Sequence, residues 1–249
     1  MSTLTMPSLP LDCLGIGAHP DDMEILAGGL LAMLAAQHRR TGILDLTRGE
    51  RGSLGSPAAR KREWTAASRV LGLSVRRNLA LPDGALADDL PSRRKLAQAL
   101  RDLRPALVVS MPPDDHHPDH RAASRLVFNA CWMAGMTKAP GLKGPPFRPK
   151  AVLHAVGHRG VEPTLIVDIS AHWKRKVQAM RCYASQFAGN AKPGALTQIN
   201  RPGFLEMMEA RARILGFRIG TSYGEAYLLK GPLIAKDPWT VLSAGAAPR

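Results

Sequence analysis

The sequence predicts an α/β fold: a Rossmann-like, doubly wound and mostly parallel sheet flanked by helices, forming one domain with a smaller C-terminal extension. Short apolar runs of strand length alternate with stretches of helical period through the first 140 or so residues, the pattern of a parallel sheet with crossover helices. Two loops rich in His and Asp each follow such a run, at the sheet edge where open α/β folds keep their sites. The length of 249 residues and a hydrophobic fraction of 45% suit a large core that needs no disulfide staples.

The elements follow in order. Leu14–Gly17 is a first buried strand, and Glu24–Gln37 carries Ile25, Leu26, Leu30, Met33 and Leu34 at helical spacing. Gly42–Leu46 is a second strand, ended by the glycine-rich loop Thr47–Pro57. A helix runs from about Ala58 to Leu71, a short strand covers Asn78–Leu81, and Pro91 opens a helix to Leu103. Ala106–Met111 is a buried strand rich in β-branched residues, and after it a helix spans about Ala122–Met133. Gly141–Pro149 is a connector between a core of about residues 1–140 and a C-terminal part of about 150–240. The latter holds strands at Ala151–Val156, Leu165–Ile169 and Ala226–Leu229, and helices at about Ala171–Ala184 and Phe204–Leu215. Ala188–Gly203 reads as a mobile loop beside the site, and the tail from Ala244 as frayed.

Bulk properties narrow the classes. No run reaches the roughly 20 apolar residues of a membrane span. Met1–Leu9 lacks the basic and apolar regions of a signal peptide, so a cytoplasmic location is expected. Cys13, Cys131 and Cys182 form no CxxC pair and are read as packing residues. The net charge of +14 is large, but the bases are scattered and aromatics make up 5%. This reads as a solvated surface, not as a nucleic-acid site.

The chemistry concentrates in the two loops. The first, Gly17-Ala18-His19-Pro20-Asp21-Asp22, offers one imidazole and two carboxylates; the second, Pro112–His120, offers His117, Asp119 and His120. A catalytic zinc takes about three protein ligands and keeps one position open. His and Asp side chains suit zinc or another divalent first-row ion, and a carboxylate outside the ligand set is free for proton transfer. Taken alone, the first loop could equally be an Asp-capped helix start.

HPDD-x-E-x-x-x-GG near the N-terminus and HPDH in the second loop resemble the PIG-L/LmbE-like family of zinc-dependent N-acetylglucosaminyl deacetylases. Further blocks agree in order: Leu46-Thr47 with Arg60-Lys61-x-Glu63, Asn78-Leu79-x-Leu81-Pro82-Asp83, Tyr183-x-Ser185-Gln186-Phe187, Ala210-Arg211, and Tyr223-Gly224-Glu225-Ala226-Tyr227. The resemblance implies removal of acetyl from N-acetylglucosamine-type substrates, such as bacillithiol, mycothiol or glycolipid-anchor intermediates, with zinc held by His19, Asp22 and His120. Asp21 matches the general base. His117, protonated, matches a histidine facing the oxyanion, with Asp119 as its orienting partner. Arg60 matches a substrate-binding arginine, and Gly28 lets substrate approach the loop. Phe204 stands where a tyrosine is common in thiol-pathway deacetylases, so a phenol would have to come from Tyr183, Tyr223 or Tyr227. Oligomers are common in this family, which makes a homo-oligomer a reasonable expectation. The competing reading is a metal-stabilised carbohydrate- or small-molecule-binding protein in which catalysis has been altered. His158 is a further residue that could face the site, whereas His38, His154 and His172 are read as ordinary core or surface histidines.

Overall fold

A computed structural model describes residues 9–157, 161–187, 197–232 and 239. The N-terminal segment up to residue 8, His158, most of the loop expected at Ala188–Gly203 and the tail from Ala244 lie outside the described residues.

One seven-stranded sheet organises the chain, in the order β3-β2-β1-β4-β5-β7-β6. Its strands are β1 (Cys13–Gly17), β2 (Thr41–Asp45), β3 (Val75–Asn78), β4 (Leu107–Ser110), β5 (Ala151–Ala155), β6 (Leu165–Asp168) and β7 (Gly224–Leu229). Pairings from β3 through β5 are all parallel, and β7 runs antiparallel between β5 and β6. β1 and β2 are buried at every residue. Their continuous apolar character, rather than alternation, follows from helices covering both faces.

The helices are α1 (Asp22–Ala36), α2 (Pro57–Leu71), α3 (Leu90–Leu103), α4 (Pro118–Ala134), α5 (Trp173–Arg181), α6 (Ala184–Phe187) and α7 (Phe204–Phe217). Starts and stops have local causes. Ser56 and Asp89 accept the capping N–H of Ala59 and Ser92. Gly72 closes α2 in the left-handed conformation, φ 75°.

Three elements differ from expectation. β3 lies at Val75–Asn78 instead of Asn78–Leu81, because its Arg76 is buried by ion pairing and leaves no apolar run to read. α4 begins at Pro118, one turn earlier than expected, with His117 as its N-cap. The helix expected over Ala171–Ala184 is a 3-10 turn at Ser170–His172, then α5 and the short α6. Among the described residues, no helix is long and apolar enough to cross a membrane.

The strand order reverses between β2 and β4 around β1, which makes the carboxyl ends of β1 and β4 the switch point of the sheet. The two acidic His loops leave the sheet there, side by side.

Candidate active site

The first loop turns sharply. Asp21 caps α1 at φ 113°, a left-handed conformation rare for a residue with a side chain and typical of strained functional positions. Gly17 makes room for the turn: a Cβ there would sit 3.0 Å from the Asp22 Cβ and 3.1 Å from the His19 carbonyl. Asp22 closes the turn by accepting the His19 N–H at 2.7 Å.

The structure brings His19, Asp22 and His120 together, with one ligand atom from each lying within 4.8 Å of the others. His19 Nδ1 is 3.5 Å from Asp22 Oδ2, and His120 Nε2 is 3.2 Å from Asp22 Oδ1. Tetrahedral ligands at ~2.0 Å from a common ion stand about 3.3 Å apart, so these spacings fit a first-row dication. The outer nitrogens agree. His19 Nε2 faces Asp83 Oδ1 at 3.1 Å and Asp119 Oδ2 at 3.4 Å, and His120 Nδ1 faces Asp115 Oδ2 at 3.1 Å. Each imidazole thus turns one nitrogen to the shared carboxylate and the other to an orienting carboxylate, the arrangement of metal-ligating histidines.

A second group, His19, His117 and Asp119, also clusters. Its one carboxylate, Asp119, already accepts the Gly84 and Leu86 N–H groups, so the first group is the better cation site.

Electrostatics point the same way. Burial disfavours charge on His19, but Asp119, Asp22 and Asp83 outweigh it and hold the ring well above its ordinary pKa. Asp22 and Asp115 likewise overcome burial and lift His120 to about 9. Burial would raise Asp22, yet the two imidazoles keep it well below the usual carboxylate range. The pocket stabilises positive charge, which protons supply in the free protein and a dication can supply instead.

Asp21 is buried and stands outside the ligand set. Arg60 Nη1 donates to its Oδ2 at 2.7 Å and to the Pro20 carbonyl at 2.5 Å. Burial pushes the Asp21 carboxyl up, Arg60 pulls it down and Asp22 pushes it up again, to about 6. A carboxyl so placed has the pKa that general-base chemistry near neutrality calls for. Arg60 is expected to bind substrate; it lines the cavity, but its Nη1 is committed to the Asp21 carboxylate.

His117 and Asp119 differ from expectation in one respect. The Asp119 carboxylate faces His19 and accepts the N–H groups of Gly84 at 2.7 Å and Leu86 at 3.3 Å. It orients His19, not His117. What His117 receives from Asp119 is the backbone N–H, at 3.2 Å on Nδ1. Burial and the neighbouring His120 and His19 lower its pKa. With Nδ1 accepting that N–H, the other ring nitrogen, Nε2, is the one free to donate, and the lowered pKa works against the protonated ring expected.

These groups line a cleft of about 430 Å³. One wall is the His/Asp cluster, and another is apolar, from Ile25, Leu26, Ile199 and Phe204. Phe204 is buried and tilted against Phe187, with centroids 5.7 Å apart. The chain has three tyrosines, and none lines the cleft. Tyr183 donates to Glu24, Tyr227 to Glu225 and Tyr223 to Glu209. No phenol replaces the one missing at Phe204. Gly28 also departs from expectation: it faces α5, where a Cβ would meet Lys176 Cγ at 3.2 Å, and not the cleft.

Sequence reading assigns no role to Asp83 or Asp115, although both face imidazoles of the candidate metal site. The only signal for Asp115 was its place two residues before His117, whose N–H it accepts at 2.9 Å.

Comparison with known proteins identifies relatives of this chain. Residues 14–131, which include every proposed ligand, match the family model described as PIG-L: GlcNAc-PI de-N-acetylase. The chain is 30% identical to diacetylchitobiose deacetylase of Thermococcus kodakarensis, over 69% of this chain and 68% of that protein. It is 28% identical to 4-oxalmesaconate hydratase of Pseudomonas putida, over 69% of this chain and 72% of that one. Among solved structures, the conserved protein TT1542 from Thermus thermophilus superposes with a TM-score of 0.83 at 43% identity, covering 91% of this chain and 98% of that one. The chain belongs to the PIG-L/LmbE-like family of N-deacetylases.

Proposed function

We propose that this chain is a zinc-dependent hydrolase that removes the N-acetyl group of an N-acetylglucosamine-type amino sugar or conjugate, with Asp21 as general base. One observation carries the reading: two imidazoles converge on Asp22, each braced from behind by a carboxylate. His19, Asp22 and His120 would hold the zinc, which when bound supplies Lewis acidity and brings the pKa of a water toward ~7.

The remaining roles belong to the chain's own residues. Asp21, fixed by Arg60, accepts the proton of the attacking water and passes it to the departing amine. His117 keeps its proton on Nε2 and donates toward the acetamide oxygen as negative charge builds there. Every phenol is engaged elsewhere, so this donation falls to the imidazole and not to a tyrosine. The apolar wall of Ile25, Leu26, Ile199 and Phe204 suits the acetyl methyl and the apolar face of a sugar ring, and it excludes water.

The test is a screen of N-acetylglucosamine, N,N′-diacetylchitobiose and an N-acetylglucosaminyl glycoside for released acetate. Acetate is the readout because one relative of similar identity is a hydratase, and substrate loss alone would not separate the two reactions. Acetate release that stops on chelation and returns with zinc is the expected result. Stoichiometric zinc with no acetate from any substrate would reject deacetylation in favour of a metal-stabilised binding protein.

A further inference from the structure

Two sequence blocks stay unused by this mechanism, the Gly28-Gly29 pair of α1 and Gly224-Glu225-Ala226-Tyr227 at the start of β7. The structure joins them. The Glu225 carboxylate is buried and accepts four hydrogen bonds. Its Oε1 takes the Gly29 N–H at 2.8 Å and Lys176 Nζ at 2.6 Å. Its Oε2 takes the Leu30 N–H at 2.7 Å and the Tyr227 hydroxyl at 2.8 Å. Lys176 and Tyr227 are themselves buried.

Gly29 and Leu30 lie in the middle of α1, where an amide ordinarily donates to the carbonyl four residues earlier, here Ile25 and Leu26. A carboxylate reaches such amides only where the helix surface is bare. The glycines let the surrounding chain close in on α1 there: a Cβ on Gly29 would lie 2.7 Å from Ile169 Cγ2, and one on Gly28 3.2 Å from Cγ of Lys176, the Glu225 partner. Ile25 and Leu26 line the cleft, and Asp21 and Asp22 lie one turn before them.

We propose that Glu225 is a positioning residue, holding α1 by the Gly29 and Leu30 amides so that its first turn presents Asp21 and Asp22 correctly to the loop after β4. Lys176 balances the charge and Tyr227 fixes the carboxylate plane. The proposal rests on the metal-dependent deacetylase reading, and its test is chosen so that the two can fail separately.

The variants are Glu225→Gln and the double variant Glu225→Gln with Lys176→Met, which removes the buried ammonium left without a counter-charge. Three quantities are measured: melting temperature, zinc affinity by competition with a chelating dye, and kcat and KM for acetate release. If Glu225 only neutralises Lys176, the double variant regains all three. Positioning predicts that it regains the melting temperature while kcat stays at least tenfold low, KM is little changed and zinc binds about tenfold more weakly. A double variant with kcat and zinc affinity within twofold of the parent overturns the proposal. If the parent releases no acetate, the deacetylase reading fails by itself, and zinc affinity alone decides: tenfold weakening supports positioning, equal affinity overturns it. Should the double variant not fold, Tyr227→Phe takes its place; a threefold or larger loss of zinc affinity at an unchanged melting temperature supports positioning, and unchanged affinity overturns it.

Discussion

Replacing Asp21 by asparagine should make the metal-free protein more stable while removing most of its activity. Asp21 is buried, and its carboxyl is raised from 3.8 to about 6 with burial as the leading cause, a disadvantage to the ionised form of about 3 kcal/mol. The sign follows from proton counting. Below about pH 4 both folded and unfolded chains are protonated at this group and there is no penalty. Between about pH 4 and 6 the folded protein keeps a proton that the unfolded chain has released, so stability falls as pH rises. Above about pH 6 the full penalty is present. Asparagine mimics the neutral acid and can still accept from Arg60 Nη1, now at 2.7 Å from the carboxylate. The chelated variant should therefore melt higher than the parent at pH 7.5, by up to roughly 10 °C for a chain of this size, and match it near pH 4. Acetate release should fall by about 10²–10⁴, the usual contribution of a positioned base. Matched melts at the two pH values and a zinc-loaded turnover assay check both parts. A variant less stable than the parent at pH 7.5, or one within tenfold of its turnover, would refute the reasoning.

Other expectations follow from the same contacts. Asp119→Asn should weaken zinc binding about 10–100-fold by loosening His19, read by dye competition; unchanged affinity would remove Asp119 as the orienting group. Chelation should lower the melting temperature of zinc-saturated protein by roughly 10 °C, since a ligand at ~1,000 times its Kd adds about 4 kcal/mol; a calorimetric scan with and without chelator measures this. Arg76→Met should cost about 3–5 kcal/mol at pH 7.5 in denaturant melts, because Glu24 and Asp45 lose their shared counter-charge. That cost should shrink at pH 5, where the Asp45 carboxyl, pushed up to about 6 by burial, takes up a proton.

Much of this architecture was legible in the sequence because it is written in apolar runs. Leu14–Gly17 and Ala106–Met111 stand out as buried strands, and the loops after them locate the site without coordinates. What escaped was written in charge. β3 is Val75-Arg76-Arg77-Asn78, and nothing in that tetrapeptide announces a strand until Asp45 and Glu24 are seen to meet Arg76. Asp83 and Asp115 went unassigned for the same reason: an orienting carboxylate is defined by the imidazole it faces, and that imidazole comes from another loop. The resemblance pairs Asp119 with His117, whereas the first turn of α4 aims its carboxylate at His19 and only its backbone N–H at His117. The antiparallel placement of β7 also had no local signature, since its residues read as a strand in either direction.

The cleft is assembled unevenly along the chain. Residues 19 to 120 supply both histidine loops, the Asp21 carboxylate and its arginine, while Gln186, Ile199 and Phe204 come from the later third. Changes in that later third can reshape what fits against the apolar wall without disturbing a single candidate ligand. An inherited reaction can in this way be offered new acyl-amino compounds through replacement of a few wall residues, with selectivity evolving faster than chemistry.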